Sequence, residues 1–467
     1  MNYSKLNASL LFNMIIILFV SGLNKIKVNT QNGIVTLAGT VNNMLAKDRA
    51  VKIVESIKGV RSIVNRIDVE PLIKRSDDDI KTEVENALLN DPATETYEID
   101  VKVKDGAVTL SGEVQSWAEK ELCATVAEGV PGVSDLNNEI SIRYKTDRPD
   151  REIKEEISER LSNDVWLNGT LIDVNVDNSR VSLTGTVGSL SEKRRAESKA
   201  WVAGVKSVDL AGLKIQWWAQ NRMKRSRNYS KRDDADIKEA VKDAFLYDPR
   251  VKFFNPEVNV KTGTVTLRGI VDNLKAKRAA EQDARNTIGV WRVKNHLKVQ
   301  PAEIPSDKTL KKRVDNALHQ DPFIDRYEVK VDASNGIIYL SGIVHTSFEK
   351  YHVENIVSGV KGVTGLVNNI DYEHKWTWKP DWEIKEDVKD QLAWSTLVDQ
   401  DKIKVKVDKG VVTLTGEVYN WSAYNASERN AYEGGAKDVN NNLTVKFPDF
   451  GPFYPYDYWG YPYLPHF

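Results

Sequence analysis

Apolar residues along this chain follow two alternating periods. Ile80, Val84, Ala87 and Leu88 recur at i, i+4, i+7 and i+8, and Ile237, Val241, Ala244 and Phe245, then Leu310, Val314, Ala317 and Leu318, repeat that spacing. Each set forms one buried stripe on an amphipathic helix. Ser76 and Ser306 stand where N-caps belong. Asp91-Pro92, Asp248-Pro249 and Asp321-Pro322 end the helices, because proline disfavours helical geometry in the residue before it. A period of two follows, as in Ile99, Val101, Val103 or Ile403, Val405, Val407. A turn at Asp105-Gly106, Asn335-Gly336 or Lys409-Gly410 then leads into a second alternating strand, which together predict a hairpin. A helical stretch comes next (Ala118 to Ala127, Ala276 to Arg285), then a glycine and a last strand carrying Leu136-Asn137-Asn138, Val367-Asn368-Asn369 or Val439-Asn440-Asn441. The predicted order is αββαβ: a three-stranded mixed sheet with two helices on one face, of the α+β class.

The second strand ends on a glycine, and that glycine sets the rhythm of the chain. From Gly39 through Gly112, Gly185, Gly269 and Gly342 to Gly416, the successive offsets in numbering are 73, 73, 84, 73 and 74, which predicts six tandem small domains. About 70 residues can just support a core of their own, whereas solenoid units are shorter. The offset from Gly39 to Gly269 and from Gly112 to Gly342 is 230, and from Gly185 to Gly416 it is 231. Gly204 and Gly435 follow the closing glycine at an offset of 19, where the other units have 20, and only units three and six open on Pro-Asp, at Pro149-Asp150 and Pro380-Asp381. A duplicated triplet is the most economical history. It predicts that residues 76–216 superpose on 306–447.

The expected divisions are 23–70, 76–145, 149–216, 233–301, 306–373 and 380–447, flanked by a leader or apolar anchor over 1–22, a linker over 217–232 and a tail over 448–467. Over nearly all of residues 23–447 the pattern resembles the BON domain family, named for bacterial OsmY and nodulation proteins. The resemblance rests on Val108-Thr-Leu110-Ser-Gly112-Glu-Val114 and Val412-Thr-Leu414-Thr-Gly416-Glu-Val418, on the later Gly132-Val133, Gly289-Val290 and Gly362-Val363, and on the Val-Asn-Asn ending. Unit three departs from it with Ser179-Arg180, so a different hairpin turn is expected there. The shared positions are glycines and core aliphatics, which build a scaffold and carry no chemistry. The resemblance implies a non-enzymatic, envelope-associated module, often periplasmic, that binds phospholipid surfaces or other proteins under osmotic or envelope stress.

Composition narrows the partners. With 66 basic against 67 acidic residues among 467, bulk attraction to a polyanion is absent, and nucleic acid is not an expected partner. Cys123 is the single cysteine, so an intramolecular disulfide is impossible; its place between Leu122 and Ala124 predicts a core thiol. At the N-terminus, Lys5 precedes an apolar run from Leu10 to Val20, followed by small Ser21-Gly22, as in a secretory leader. The same segment stands where the first helix of unit one belongs, so two readings stay open: a leader or anchor has displaced that helix, or the helix has become unusually apolar. The corresponding location is periplasmic or membrane-associated, with the cytoplasm as the alternative.

Two segments outside the repeats carry candidate contacts. Between the triplets, Trp217 and Trp218 precede Arg222, Lys224, Arg225, Arg227, Lys231 and Arg232. Indoles favour the apolar boundary of a bilayer, and cations near an anionic surface gain about 1 kcal/mol each, so this segment suits an anionic phospholipid surface. A solvated linker with its tryptophans packed on unit three is the plainer alternative. The tail threads Phe453, Tyr454, Tyr456, Tyr458, Trp459, Tyr461, Tyr463 and Phe467 among prolines, which forbid a helix and suit aromatic contact with a groove, interface or glycan, or a self-packed terminus.

No catalytic signature is present: the chain lacks Gly-x-Ser-x-Gly, His-Glu-x-x-His and a phosphate-binding glycine loop. His319, His345, His352 and His374 crowd into and just after unit five without ligand spacing, so no metal or other cofactor is expected. Carboxylates such as Asp77 to Asp79 and Glu155-Glu156 read as first-turn residues that favour a helix N-terminus. Three functions fit. The first is a non-enzymatic scaffold binding anionic phospholipid surfaces and envelope or client proteins by avidity; the second is a soluble periplasmic chaperone or osmotic-stress protectant; the third is a small-ligand or ion sensor.

Overall fold

The computed structural model describes residues 26–445 apart from 58, 73, 95–96, 145–147, 217, 220–231, 291, 304, 322, 325–326, 346, 373–377, 396–397 and 419–420. Residues 1–25 and 446–467, and with them the apolar N-terminal run and the aromatic tail, lie outside the described residues.

Units two to six follow the αββαβ order. In unit two the elements are a helix Asp77–Asn90, strands Ile99–Lys104 and Ala107–Val114, a helix Trp117–Glu128, and a third strand split into Asp135–Asn138 and Ser141–Ile142. The first two strands pair antiparallel and the third runs parallel to the second, which sits in the middle; unit one repeats this with Lys27–Gln31, Ile34–Val41 and Ser62–Val69. Both helices cover the same face. Val101, Val108, Leu110 and Val114 of the strands are buried with Ile80, Val84 and Leu88 of the first helix and Cys123 and Ala127 of the second. Each sheet stays within its own unit.

Side chains at fixed positions hold each unit in register. The first residue of the first helix is an aspartate that closes the hairpin from below. Asp77 accepts from the amides of Asp105 and Gly106 at 2.9 Å, Asp234 from Thr262 and Gly263 at 2.7 and 2.9 Å, and Asp381 from Lys409 and Gly410 at 2.8 Å. Both turn residues have positive φ, as at Asp105 (52°) and Gly106 (78°), so the turn matches the strand twist. Unit three keeps this geometry without glycine. Asn178 and Ser179 take φ of 51° and 64°, and Asp150 accepts from their amides at 2.8 and 2.9 Å, so the expected different turn is not found. An asparagine at one position of the last strand ties that strand to the second helix: Asn138 donates to the Lys120 carbonyl at 3.0 Å and Asn295 to that of Lys277 at 2.9 Å.

The units dock on one another through their second helices. Met44, at the start of the second helix of unit one (Met44–Glu55), enters the core of unit two. Leu274, the equivalent position at the start of the second helix of unit four (Leu274–Arg285), belongs to one contiguous apolar cluster with the cores of units one and five. Asp91 and Glu119 of unit two pair with Lys275 and Lys252 of unit four, and Arg278 of unit four reaches Glu354 of unit five at 3.1 Å. Units one, two, four and five therefore close a ring in the order 1-2-4-5.

Candidate functional site

The glycines that close the second strands are structural. All six have positive φ, between 108° at Gly185 and 149° at Gly342. At Gly112, Gly185, Gly342 and Gly416 a Cβ would lie within 2.7 Å of a carbonyl oxygen of the preceding strand segment. Only glycine fits a backbone that is both left-handed and that close to its neighbour.

Of the residues singled out between the triplets, Trp217, Arg222, Lys224, Arg225, Arg227 and Lys231 lie outside the described residues. Trp218 occupies a short helical turn at 38% exposure, next to a buried Ala219. Arg232 is half-buried between units three and four. Its guanidinium donates to the Asn163 side chain and to the Ser162 carbonyl of unit three, and its Cβ lies beside Gly289 of unit four. It is a joint between units.

That joint gathers several buried polar side chains, among them Asp164, Arg195, Asp248, Arg250 and Thr287. Asn163 to Trp166 of unit three meet Asn286 to Ile288 of unit four as a β-bridge between Asp164 and Thr287, with Val165 donating to Asn286 at 3.1 Å and Ile288 to Asn163 at 2.8 Å. The Trp166 indole donates to the Asn286 side chain at 3.1 Å. Behind the bridge, Arg195 holds Asp164 through two contacts of 2.7 and 2.6 Å, with Lys199 at 3.4 Å. Burial alone would raise the Asp164 carboxyl, but Arg195 and Lys199 overcome it and keep the group below its usual range. Arg250 clamps Asp248 at 2.5 Å nearby, and Asp283 holds its proton tightly, through burial and the charge of Asp248.

Inside the ring lies a chamber of about 1590 Å³ bordered by all four ring units, with Leu45, Leu122, Val126, Leu274, Phe323 and Ile356 among its apolar walls. His352 also faces it and binds Asp321 at 2.7 Å. His345 lies edge-on to Tyr327, whose hydroxyl donates to Glu349 at 2.8 Å. Among the described residues, no group of His, Cys, Asp or Glu side chains is arranged to hold a metal ion. Cys123 is buried, and its thiol is pushed up to about 12 by that burial, so it is unreactive where it stands.

Sequence reasoning missed two features. The chamber has no signal in the linear pattern, since its walls come from units far apart in the chain. The other is a pair of tryptophans on unit six: Trp378 and Trp382, 72% and 66% exposed, flank the start of the helix Asp381–Trp394. Ile384, Val388 and Leu392 bury the opposite stripe of this helix, while Lys385 and Lys389 share the solvent side with Trp382. Unit three has Asp147 and Arg151 at the equivalent positions, so the fold does not require indoles there. That difference between equivalent units was the available clue.

Repeated αββαβ units with recurring scaffold residues define a tandem-domain protein, and its comparisons agree with that class. The BON domain family matches residues 14–71, 76–144, 149–215, 233–301, 306–374 and 380–446. The chain belongs to the BON domain family, as a tandem protein of six such domains. The first match opens within the segment read as a leader or anchor. Among curated proteins, the chain is 31% identical over 124 residues to the osmotically-inducible protein Y of Escherichia coli, covering 25% of this chain and 62% of that one. It is 30% identical over 146 residues to the outer membrane lipoprotein DolP of Haemophilus influenzae, covering 30% of this chain and 75% of that one. Among solved structures, the C-terminal domain of CdsD, a structural protein of the type III secretion system of Chlamydia trachomatis, matches at 15% identity over 46% of this chain and 99% of that one, with a TM-score of 0.13.

Proposed function

We propose that this protein is a non-enzymatic scaffold of the bacterial envelope, periplasmic or membrane-associated, whose tandem domains bind phospholipid surfaces and envelope proteins under osmotic or envelope stress. The observation that carries the reading is the exposed pair Trp378 and Trp382 beside Lys385 and Lys389. Two large indoles in water cost the folded protein apolar exposure and serve no core; at a bilayer boundary they bury their rings while the lysines meet headgroups. The envelope placement of one relative and the osmotic induction of another, stated in their names, support the same setting. The linker cations Arg222, Lys224, Arg225 and Arg227 would add attraction to anionic lipid.

Co-sedimentation with phosphatidylcholine vesicles, with and without phosphatidylglycerol, tests this. W378A/W382A is expected to weaken binding to both vesicle types by more than about tenfold, because each lost indole removes apolar burial. Replacing Arg222, Lys224, Arg225 and Arg227 by Gln is expected to weaken binding to the anionic vesicles alone, by more than about tenfold at low salt, with the difference shrinking as ionic strength rises. Unchanged binding in both folded variants would remove the lipid reading and leave the protein-protective one.

The chamber favours a second reading, a small-ligand sensor, because pockets between domains are common ligand sites. A ligand held there would raise the melting temperature of the intact chain in proportion to the logarithm of its concentration.

A further inference from the structure

Carboxylates from the second helices of units one, two and three gather at one wall of the chamber. Asp48 and Glu55 of the first helix (Met44–Glu55), Glu121 and Glu128 of the second (Trp117–Glu128) and Glu197 of the third (Leu190–Ala200) gather around Lys52 and Arg194. The cations nearest these carboxylates are already engaged, and Arg49 of the first helix, which also borders the chamber, acts on Glu433 of unit six. Lys52 pairs with Asp48 at 2.6 Å, Arg194 with one oxygen of Glu55, and Lys193, at the margin, with the Leu213 carbonyl at 2.9 Å. Lys120 is the remaining cation near Glu121. The other oxygen of Glu55 is buried without a hydrogen-bond partner. Asp48, Lys52 and Glu128 themselves border the chamber. Trp117 of unit two stacks on Trp201 of unit three, parallel at 6.1 Å, and so holds the outer side of the same junction.

We propose that this three-helix junction is a proton-operated clasp on the chamber wall, tight when its surplus carboxylates are protonated and loose when they ionise. Carboxylates that crowd together while losing water repel one another unless some stay neutral. Burial first, then Asp48 and Glu121, pushes Glu128 up to about 7 against the pull of Lys52 and Arg194. Burial also raises Glu121, with Glu197 adding to it, and raises Glu55, with Asp48 adding to it; Lys52 and Arg194 oppose both. Glu197 is raised by burial against Arg194 and Lys193. Groups that bind protons more tightly docked than undocked favour docking at low pH. The contribution of Glu128 is full below the ordinary glutamate value of 4.5 and is lost as pH rises through about 7, and Glu55, Glu121 and Glu197 act in the same direction. Through the intervening window, alkalinisation opens the wall and acidification closes it.

Amide hydrogen exchange on the intact chain, corrected for the intrinsic pH dependence of exchange, reads this directly. Protection of residues 44–55 and 190–200 is expected to fall by more than about tenfold between pH 5 and pH 8, while that of residues 384–392 of unit six changes little. E121Q/E128Q should keep these helices protected at both pH values. Should that variant misfold, K52Q supplies the second reading: without this cation the carboxylates hold their protons longer, so the midpoint of loosening should move to higher pH. A wild-type protein with no pH-dependent loss at the junction, or a folded E121Q/E128Q that loses protection as the wild type does, or a K52Q midpoint that stays or falls, overturns the clasp.

Discussion

Replacing Arg195 by Met is expected to destabilise unit three by about 3 to 5 kcal/mol and to loosen its joint with unit four. Asp164 is fully buried and Arg195 is 3% exposed, so the pair exists without water to take over for either member. Arg195 Nε donates to one carboxylate oxygen at 2.7 Å, where the Trp166 amide adds a second donor at 2.9 Å, and Arg195 Nη2 forms an ion pair with the other oxygen at 2.6 Å. With Met in place, Lys199 at 3.4 Å is the nearest remaining cation to a carboxylate in a medium that solvates it poorly. Pulse proteolysis of the intact chain should show the loss, and exchange protection at Asn286 to Ile288 should fall with it, because the bridge to unit four is built on Asp164. The pH dependence carries a sign. In the wild type, Asp164 is held below its usual range, so its contribution is present above pH 3.8 and is lost as pH falls through its folded value. In Arg195→Met the orphaned carboxyl prefers its proton, so the deficit should shrink as pH falls from 8 toward 5. Asp164→Asn combined with Arg195→Met should cost less than Arg195→Met alone, since both charges then leave together. A loss below about 1 kcal/mol in the single variant would mean that the buried pair is not what holds this joint.

Gly416→Ala and Gly269→Ala make the second large prediction, and their contrast matters more than either alone. Both glycines have positive φ, 131° and 124°, a conformation that costs a residue with a Cβ about 1 to 3 kcal/mol. At Gly416 the added methyl would also lie 2.0 Å from the Lys402 carbonyl oxygen, which belongs to backbone and cannot swing aside. At Gly269 the nearest atom is the Leu297 Cδ2 at 3.8 Å, ordinary contact. Gly416→Ala should therefore unfold unit six or split its first two strands, at a cost above about 4 kcal/mol, whereas Gly269→Ala should leave unit four folded with only the conformational penalty. Exchange protection of 403–408 and 257–261 in the two variants measures the contrast. Equal losses would show that the backbone near Gly416 yields more easily than its geometry implies.

The linear pattern carried the units themselves. Helix stripes such as Ile80, Val84 and Leu88 and the strand alternation at Val101 and Val103 are local signals, because burial of one face imposes a period on neighbouring residues. Gly112 and its five counterparts were legible for the same reason: a backbone position with positive φ within a strand favours glycine locally. Asp77, Asp150, Asp234 and Asp381 were half legible. The place of Asp77 at a helix start fits a first-turn carboxylate, and Asp150 and Asp381 mark the opening of their units, but the amides that all four bind lie 28 and 29 residues further on, at the hairpin turn.

What only the tertiary structure decided is how the units meet. Lys275 finds Asp91 at a separation of 184 residues, Arg194 finds Glu55 at 139 and Trp166 finds Asn286 at 120, each through a single pair of side chains. A single charged or polar residue imposes no period on its neighbours, so such contacts leave no trace in a hydrophobic pattern. The ring, the chamber and the three-helix junction therefore could not be read from the sequence, which determined six folded units because each buries its own apolar stripe. Their arrangement was decided where sparse, long-range charge and shape complementarity set one unit against another.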